Sequence, residues 1–345
     1  MNAIRKAIEA LVTDGVVDAE TLNAAFGEIM DGEASPATAA GLLIAMRMKG
    51  ETVDEIVAVA RALRARATTV KVQDPKTIDT CGTGGSGLDT FNISTTAAFV
   101  VAGAGVSVAK HGNRAATSRS GSFDVFEALG IRIDLSVEAC AAILDEVGIA
   151  PFFARTAHPA FRHVAPVRAE LGVRTLLNCM GPLLSPVDAR YQVVGVYSRD
   201  LVEPLAHALR ELGAIRALVV HGSDGMDELT TTGTSHASLV TADGIETLTI
   251  DPQTLGLARA SLGDLTGGTP VENADTTRSI LDGATGPKRD IVLLNAAAAI
   301  WVAGEASSLE EGLVLAAKSL DSGQARARLD ALAKATQDAG AGVAT

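Results

Sequence analysis

Aromatic residues make up only 3% of this chain, although 47% of its residues are hydrophobic. With so few large rings, the interior has to be filled by Ala, Val, Leu and Ile. Cysteine is scarce as well. Cys81, Cys140 and Cys179 are widely spaced and odd in number, which fits reduced thiols better than a disulfide framework or a zinc site. No apolar run long enough to cross a bilayer occurs, and the opening M-N-A-I-R-K-A-I-E-A lacks the apolar centre of a signal peptide. A soluble, cytoplasmic protein is expected. Positive charge is also in deficit, with a net charge of −12. That speaks against nucleic-acid and anionic-membrane partners, which call for clustered Lys and Arg. A small phosphorylated ligand needs only a local positive pocket and stays open. Several motifs are missing too. No G-x-S-x-G elbow, no H-x-x-H pair, no internal repeat and no low-complexity segment is present.

The chain does contain 34 glycines without a period, which argues for the tight connections of an α/β protein. Up to about residue 68 the pattern is purely helical. Ile4, Ile8, Leu11 and Val12 recur at helical spacing, Ser35-Pro36 starts a helix that Gly50 closes, and Thr52 with Glu55 forms a capping box. Met46 and Met48 read as core or interface residues. A polar stretch, 68–76, is a plausible hinge. Beyond it, candidate strands at 76–80, 106–109, 192–196, 217–221 and 246–250 alternate with helices at 123–129, 137–147, 201–212, 290–302, 309–319 and 324–337. The fold class is therefore α/β: a small N-terminal helical domain (1–70) and a larger α/β domain (71–345), with a central, mostly parallel sheet covered by helices. Residues 163–186 are expected to pack back onto the helical domain.

Three stretches could carry chemistry. The first, 79–114, runs from a strand through G-T-G-G-S-G into a helix that Asn92, Ser94 and Thr95 can cap. Free N–H groups and the helix dipole make such a place an anion site. It lacks the lysine of a Walker loop and the spacing of a dinucleotide fingerprint, and alone it is as easily a structural turn. Thr83, Thr90, Asn92, Ser94 and Thr95, then Lys110, Asn113 and the 118–122 stretch after a second strand, favour a phosphate cradle. Cys81 inside the turn has no base nearby in sequence and reads as a space-filler. The second stretch, H-G-S-D-G-M-D-E-L-T-T-T-G at 221–233, places Asp227 and Glu228 side by side after a strand. Alone it is a solvated acidic turn, but beside a polyphosphate its hard oxygens suit Mg2+. Asp224 reads as a turn residue. The third, 158–175, gathers His158, Arg162, His163, Arg168 and Arg174, and an arginine there can grip a carboxylate.

Taken in order, G-T-G-G, N-I-S-T, V-A-K-H-G-N-R, S-R-S-G-S-x-D-V-x-E-A-L-G, H-P-A-F-R-H-V-A-P-V-R, N-C-M-G-P-L, V-H-G-S-D-G-M-D-E, E-N-A (272–274) and L-L-N-A-A-A-A (293–299) resemble the anthranilate phosphoribosyltransferase family over nearly the whole chain. The resemblance implies a homodimer joined through the helical domain. It implies transfer of the phosphoribosyl group of 5-phosphoribosyl-1-pyrophosphate (PRPP) to anthranilate, with Mg2+, at the hinge between the two domains. It implies PRPP contacts from Gly82, Thr83, Gly84, Gly85, Ser86, Thr90, Asn92, Ile93, Ser94, Thr95, Lys110, His111, Gly112, Asn113, Arg114, Ser118 and Ser122. Anthranilate contacts fall on Gly82, Asn113, His158 and Arg168, metal ligands on Ser94, Asp227 and Glu228, and catalysis on Lys110, Arg168 and Asn113. Two positions depart from the family pattern: Ser86 stands where an aspartate is usual, with Asp89 close by, and Ser185-Pro186 replaces N-P. Two alternatives stay open, a pyrimidine nucleoside phosphorylase of the same fold and a non-catalytic relative that binds phosphorylated ligands or nucleic acid.

Overall fold

The computed structural model describes residues 2–115 and 119–341. Four helices come first: α1 (Ala3–Thr13), α2 (Ala19–Met30), α3 (Pro36–Lys49) and α4 (Val53–Arg64). Then β1 (Ile78–Gly82), α5 (Ile93–Gly103), β2 (Val108–Gly112), α6 (Ser122–Ala128), α7 (Val137–Val147), β3 (Ile149–Phe153), α8 (Ala154–Ala157) and α9 (Ala165–Leu171) follow. The remainder is β4 (Tyr191–Gly195), α10 (Val202–Glu211), β5 (Arg216–Gly222), β6 (Ser235–Thr241), β7 (Gly244–Ile250), α11 (Pro270–Leu281), α12 (Pro287–Val302), α13 (Leu309–Asp321) and α14 (Gln324–Ala341). Local chemistry sets many of these limits. Ser35 Oγ accepts from Thr38 N, and the Thr52–Glu55 box is made in both directions. Gly148 takes the left-handed conformation (φ 81°) that ends α7. Ser308 caps α13, but Glu311 turns back to Ser307 instead of completing a box.

One sheet runs β3-β2-β1-β4-β5-β6-β7. β1 to β5 are parallel, and β6 and β7 continue it antiparallel. The chain builds outward from β1 to β3, then crosses back to place β4 on β1's other side. That reversal leaves a crevice at the C-terminal ends of β1 and β4. Because strand side chains alternate between faces, adjacent residues feed different cores. Ile78, Val193, Leu218 and Val220 meet Phe99, Ile291 and Leu294 from α5 and α12. Cys81, Val194, Ala217 and Val219 meet Leu205 and Leu209 of α10, the inward faces of α1–α4, and Val164, Val167, Leu176 and Leu183. Five fully buried rings, Phe91, Phe99, Phe123, Phe126 and Phe152, lie in the first core, and Phe26 lies in the second. Each contributes roughly 1.5–3 kcal/mol of burial, so the few aromatics are concentrated where they count.

Several elements depart from expectation. β1 and β2 run on through Gly82 and Gly112, because both glycines pair in register, with Gly195 and Phe153. β3 was not expected, since it contains Pro151, which its place at the sheet edge tolerates. β6 is interrupted by Ser235, His236 and Ser238, and α11 carries no continuous apolar face, so neither shows a clear period. Val12 and Met48 are 73% and 84% exposed, unlike Ile4 and Met46.

Candidate active site

Four parallel strands end in glycine at the same edge: Gly82, Gly112, Gly195 and Gly222. The reason is space. A Cβ on Gly195 would overlap the backbone carbonyl of Asp227, and one on Gly82 would lie 3.0 Å from Asp227 Oδ2. The acidic turn thus folds down across the crevice and rests on glycine. Thr83 N donates to Gly195 O (2.8 Å), and Tyr197 N donates to Thr83 Oγ1 (3.1 Å), which ties the glycine loop to the other lip.

Gly84 and Gly85 have φ of 65° and 81°, a region that β-carbon-bearing residues avoid. The loop, including Ser86, then returns to pair with a distant segment. Gly267 N donates to Asp89 O, Phe91 N donates to Leu265 O, and Thr90 bridges Thr266. Asn92 precedes α5, yet its side chain does not cap the helix. Its Oδ1 instead accepts from Ser120 Oγ (3.1 Å) and from Asn273 Nδ2 (2.9 Å), so the expected side-chain cap is replaced by a tie between two loops. Ile93 is in the core, and the Thr95 hydroxyl is buried with no partner among the described residues. Lys110, only 2% exposed, extends from β2 under this helix end. Its Nζ donates to Thr80 O and, at 3.5 Å, to Ser94 Oγ. His111 N donates to Asp79 Oδ1, and burial pushes the Asp79 carboxyl up to about 6 despite Lys110 nearby. Asn113 Oδ1 accepts from Arg114 N, Arg114 is drawn to Glu127 of α6, and Ser122 Oγ donates to Asn113 O. Ser118 lies outside the described residues. The Cys81 thiol is pushed far up by burial and by Asp79, which suits a space-filler and not a nucleophile.

Glu228 reaches α5, where its Oε1 accepts from Ser94 N (3.1 Å). Burial, then the charge of Asp227 beside it, raises its carboxyl to about 7. A partly buried carboxylate pair is a fitting seat for a hard divalent cation, and Ser94 Oγ adds a third oxygen. Among the described residues no three His, Cys, Asp or Glu side chains cluster as a metal cage. Such a seat suits Mg2+, which commonly takes one or two carboxylates and fills its remaining positions with phosphate oxygens and water.

Arg168 on α9 is half-buried, and its guanidinium has no hydrogen-bond or ion-pair partner among the described residues. Arg174 Nη2 donates to Gly85 O (2.5 Å) and its guanidinium lies 4.4 Å over the Tyr197 ring, so it joins the basic segment to the glycine loop. His158 and His111 are buried with their Nε2 atoms 3.2 Å apart. Burial depresses both, His158 to about 4 and His111, also opposed by His158, to about 3. Between pH 6.5 and 4 the unfolded chain therefore binds protons at these positions that the folded chain does not, so their contribution to stability falls on acidification. Asp79 and Glu228 titrate in the opposite sense there, so the informative quantity is a difference. Relative to wild type, His158→Gln is expected to gain stability as pH drops from 7 to 4, by up to about 3 kcal/mol. Urea midpoints across that range check it, and a pH-independent difference would show that His158 is not buried as a neutral ring.

Residues 74–326 match the glycosyl transferase family a/b domain, and residues 5–67 match the helical bundle domain of the glycosyl transferase family. The chain is a glycosyl transferase of this two-domain class. The anthranilate phosphoribosyltransferase of Moorella thermoacetica is 54% identical over 304 residues, which span 88% of this chain and 90% of that one. The crystal structure of anthranilate phosphoribosyltransferase from Thermus thermophilus superposes with a TM-score of 0.91 at 45% identity, covering 98% of this chain and 100% of that one. The Saccharomyces cerevisiae enzyme in complex with PRPP and Mg has a TM-score of 0.90 at 26% identity, over 97% and 98% of the two chains. This chain belongs to the anthranilate phosphoribosyltransferase family.

Proposed function

We propose that this enzyme transfers the phosphoribosyl group of PRPP to the amine of anthranilate, giving N-(5′-phosphoribosyl)anthranilate and pyrophosphate. The observation that carries this is the meeting of Gly82, Lys110 and the Asp227-Glu228 pair at the switch between β1 and β4; the half-buried, unpaired Arg168 is the cation we assign to the acceptor. The bond from C1′ to the pyrophosphate oxygen breaks with its electron pair leaving on pyrophosphate. The aniline nitrogen bonds to C1′ from the opposite face and then loses a proton. That nitrogen is neutral at pH 7, so positioning and electrostatics suffice and no strong base is required. Lys110 and the loop N–H groups balance the leaving charge. Arg168 grips the acceptor carboxylate, with Gly82, Asn113 and His158 around the ring. Asp227, Glu228 and Ser94 would hold Mg2+, which when bound supplies further neutralisation of the pyrophosphate. The remaining proposed PRPP contacts are the loop and helix-start residues from Thr83 to Thr95 together with His111, Gly112, Asn113, Arg114, Ser118 and Ser122.

We assign the two domains to 1–70 and 71–345, with 163–186 packed on the helical one, and a homodimer through the helical domain. The exposed Val12, Val16 and Met48 on that domain support such a contact. No helix among the described residues is long and apolar enough to cross a membrane, and soluble substrates suit a cytoplasmic site of action. The test is direct: protein, PRPP, Mg2+ and anthranilate are mixed, and loss of anthranilate fluorescence is followed beside pyrophosphate release. No turnover at high enzyme, with nucleoside phosphorolysis or nucleic-acid retention instead, rejects the assignment. Ser86 lies in the loop with no hydrogen bond of its own among the described residues. Ser86→Asp is accordingly expected to keep or raise kcat/KM for PRPP. Loss of activity there would mean that the loop is built around serine.

A further inference from the structure

α12 is buried along most of its length by Ile291, Val292, Leu293, Leu294, Ile300, Val302 and alanines, with one amide among them. Asn295 is 5% exposed, in a helix face that otherwise offers nothing polar. A buried amide is costly unless its donors and acceptor are matched. Here they are. Nδ2 donates to Leu229 O (2.8 Å) and to Ile291 O (2.9 Å), and Oδ1 accepts from Leu229 N (3.0 Å). The amide thus holds both backbone groups of Leu229, as a neighbouring strand would, and Leu229 directly follows Glu228. Neither group of Leu229 has another partner among the described residues. The other end of the turn is held separately. Asp224 Oδ1 accepts from Met226 N (3.1 Å), and its Oδ2 accepts from Thr230 Oγ1 (2.7 Å) and Thr232 Oγ1 (2.6 Å). Leucine at 295 would pack as well as its neighbours do, so core filling does not explain the amide.

We propose that Asn295 is a positioning residue for the cation seat: its clamp on Leu229 fixes the direction in which Asp227 and Glu228 point. The inference rests on the assignment of those two carboxylates as cation ligands. Outer partners that orient ligands of this kind typically alter metal affinity by about 10–100-fold. The test titrates Mn2+ into PRPP-loaded enzyme without acceptor, followed by water proton relaxation, for wild type, Asn295→Leu and Asp227→Asn. Asn295→Leu is expected to bind Mn2+ about 10–100-fold more weakly, with kcat/KM for PRPP falling in parallel and the anthranilate KM unchanged. Gly105→Ala, strained at φ 97° in open space away from the site, serves as a destabilised control and should bind Mn2+ normally. Should Asn295→Leu fail to fold, Asn295→Ser, which keeps a hydroxyl for the Ile291 carbonyl, is measured in the same way. Loss of Mn2+ in Asp227→Asn with wild-type binding in the Asn295 variants overturns the inference alone. Wild-type binding in Asp227→Asn overturns the ligand assignment beneath it.

Discussion

Lys110→Met is expected to lower kcat/KM for PRPP by about a hundred- to a thousandfold, the usual cost of deleting one preorganised group that stabilises developing charge. The side chain is nearly fully buried, and its ammonium is held between Thr80 O and Ser94 Oγ, so little reorganisation is needed as pyrophosphate departs. Methionine fills much the same volume without charge. Lys110 also lowers the carboxyl pKa values of Asp79 and Glu228, so its loss leaves both acids with less compensation. Lys110→Arg is not expected to rescue, because a planar fork does not match a point charge held between Thr80 O and Ser94 Oγ in a buried place. Steady-state kinetics with both substrates varied, beside a melting curve, provide the check. The loss should appear in PRPP-dependent terms, with the anthranilate KM nearly unchanged. A variant retaining near wild-type kcat/KM would remove Lys110 from the charge-balancing role.

Gly195→Ala is expected to be nearly as damaging, although residue 195 contacts neither substrate in the proposed arrangement. Its added methyl would fall where the Asp227 carbonyl sits. The turn has to rise, and a displacement of about 1 Å at a catalytic group commonly costs about a hundredfold in rate. Overpacking adds about 1–3 kcal/mol of destabilisation. Activity at saturating Mg2+ and a melting curve separate the two effects. Gly105→Ala should lose stability with normal turnover, whereas Gly195→Ala should lose turnover beyond what its melting shift explains. Normal kcat in a folded Gly195→Ala variant would show that the turn has slack.

Much of this arrangement was visible in the chain before its coordinates. The helical start, the alternating strands and helices, and the strand–glycine–helix turn all follow from local chemistry that acts over a few residues. What escaped is set by partners far away in sequence. Asn92 has the right identity and place for a cap, yet its side chain is claimed by Ser120 and Asn273. Gly195 ends a strand like any other, and only the Asp227 carbonyl above it explains why it has no side chain. Asn273 and Asn295 were readable only as parts of motifs carrying a resemblance, because nothing in a polar helix start or an alanine-rich helix announces what an amide will hold. β3 and β6 escaped for a different reason: β3 lies at the sheet edge, where Pro151 is tolerated, and β6, paired on both sides, carries Ser235, His236 and Ser238, which hide its apolar pattern.

The pairings that build the crevice differ greatly in reach along the chain. The carboxylate turn is closed by β5 and β6, where Gly222 pairs with Ser235, so the hairpin around it needs only local contacts, while the clamp of Asn295 on Leu229 comes from far along the chain. The glycine loop meets it only when Ile78 finds Tyr191 and Gly82 finds Gly195, across the whole β2–β3 excursion. Contacts of such long sequence separation form slowly because loop closure is costly before they reward it. During refolding, helix content and the acidic hairpin should therefore be in place well before the enzyme can act, and catalytic competence becomes a late marker of the finished sheet.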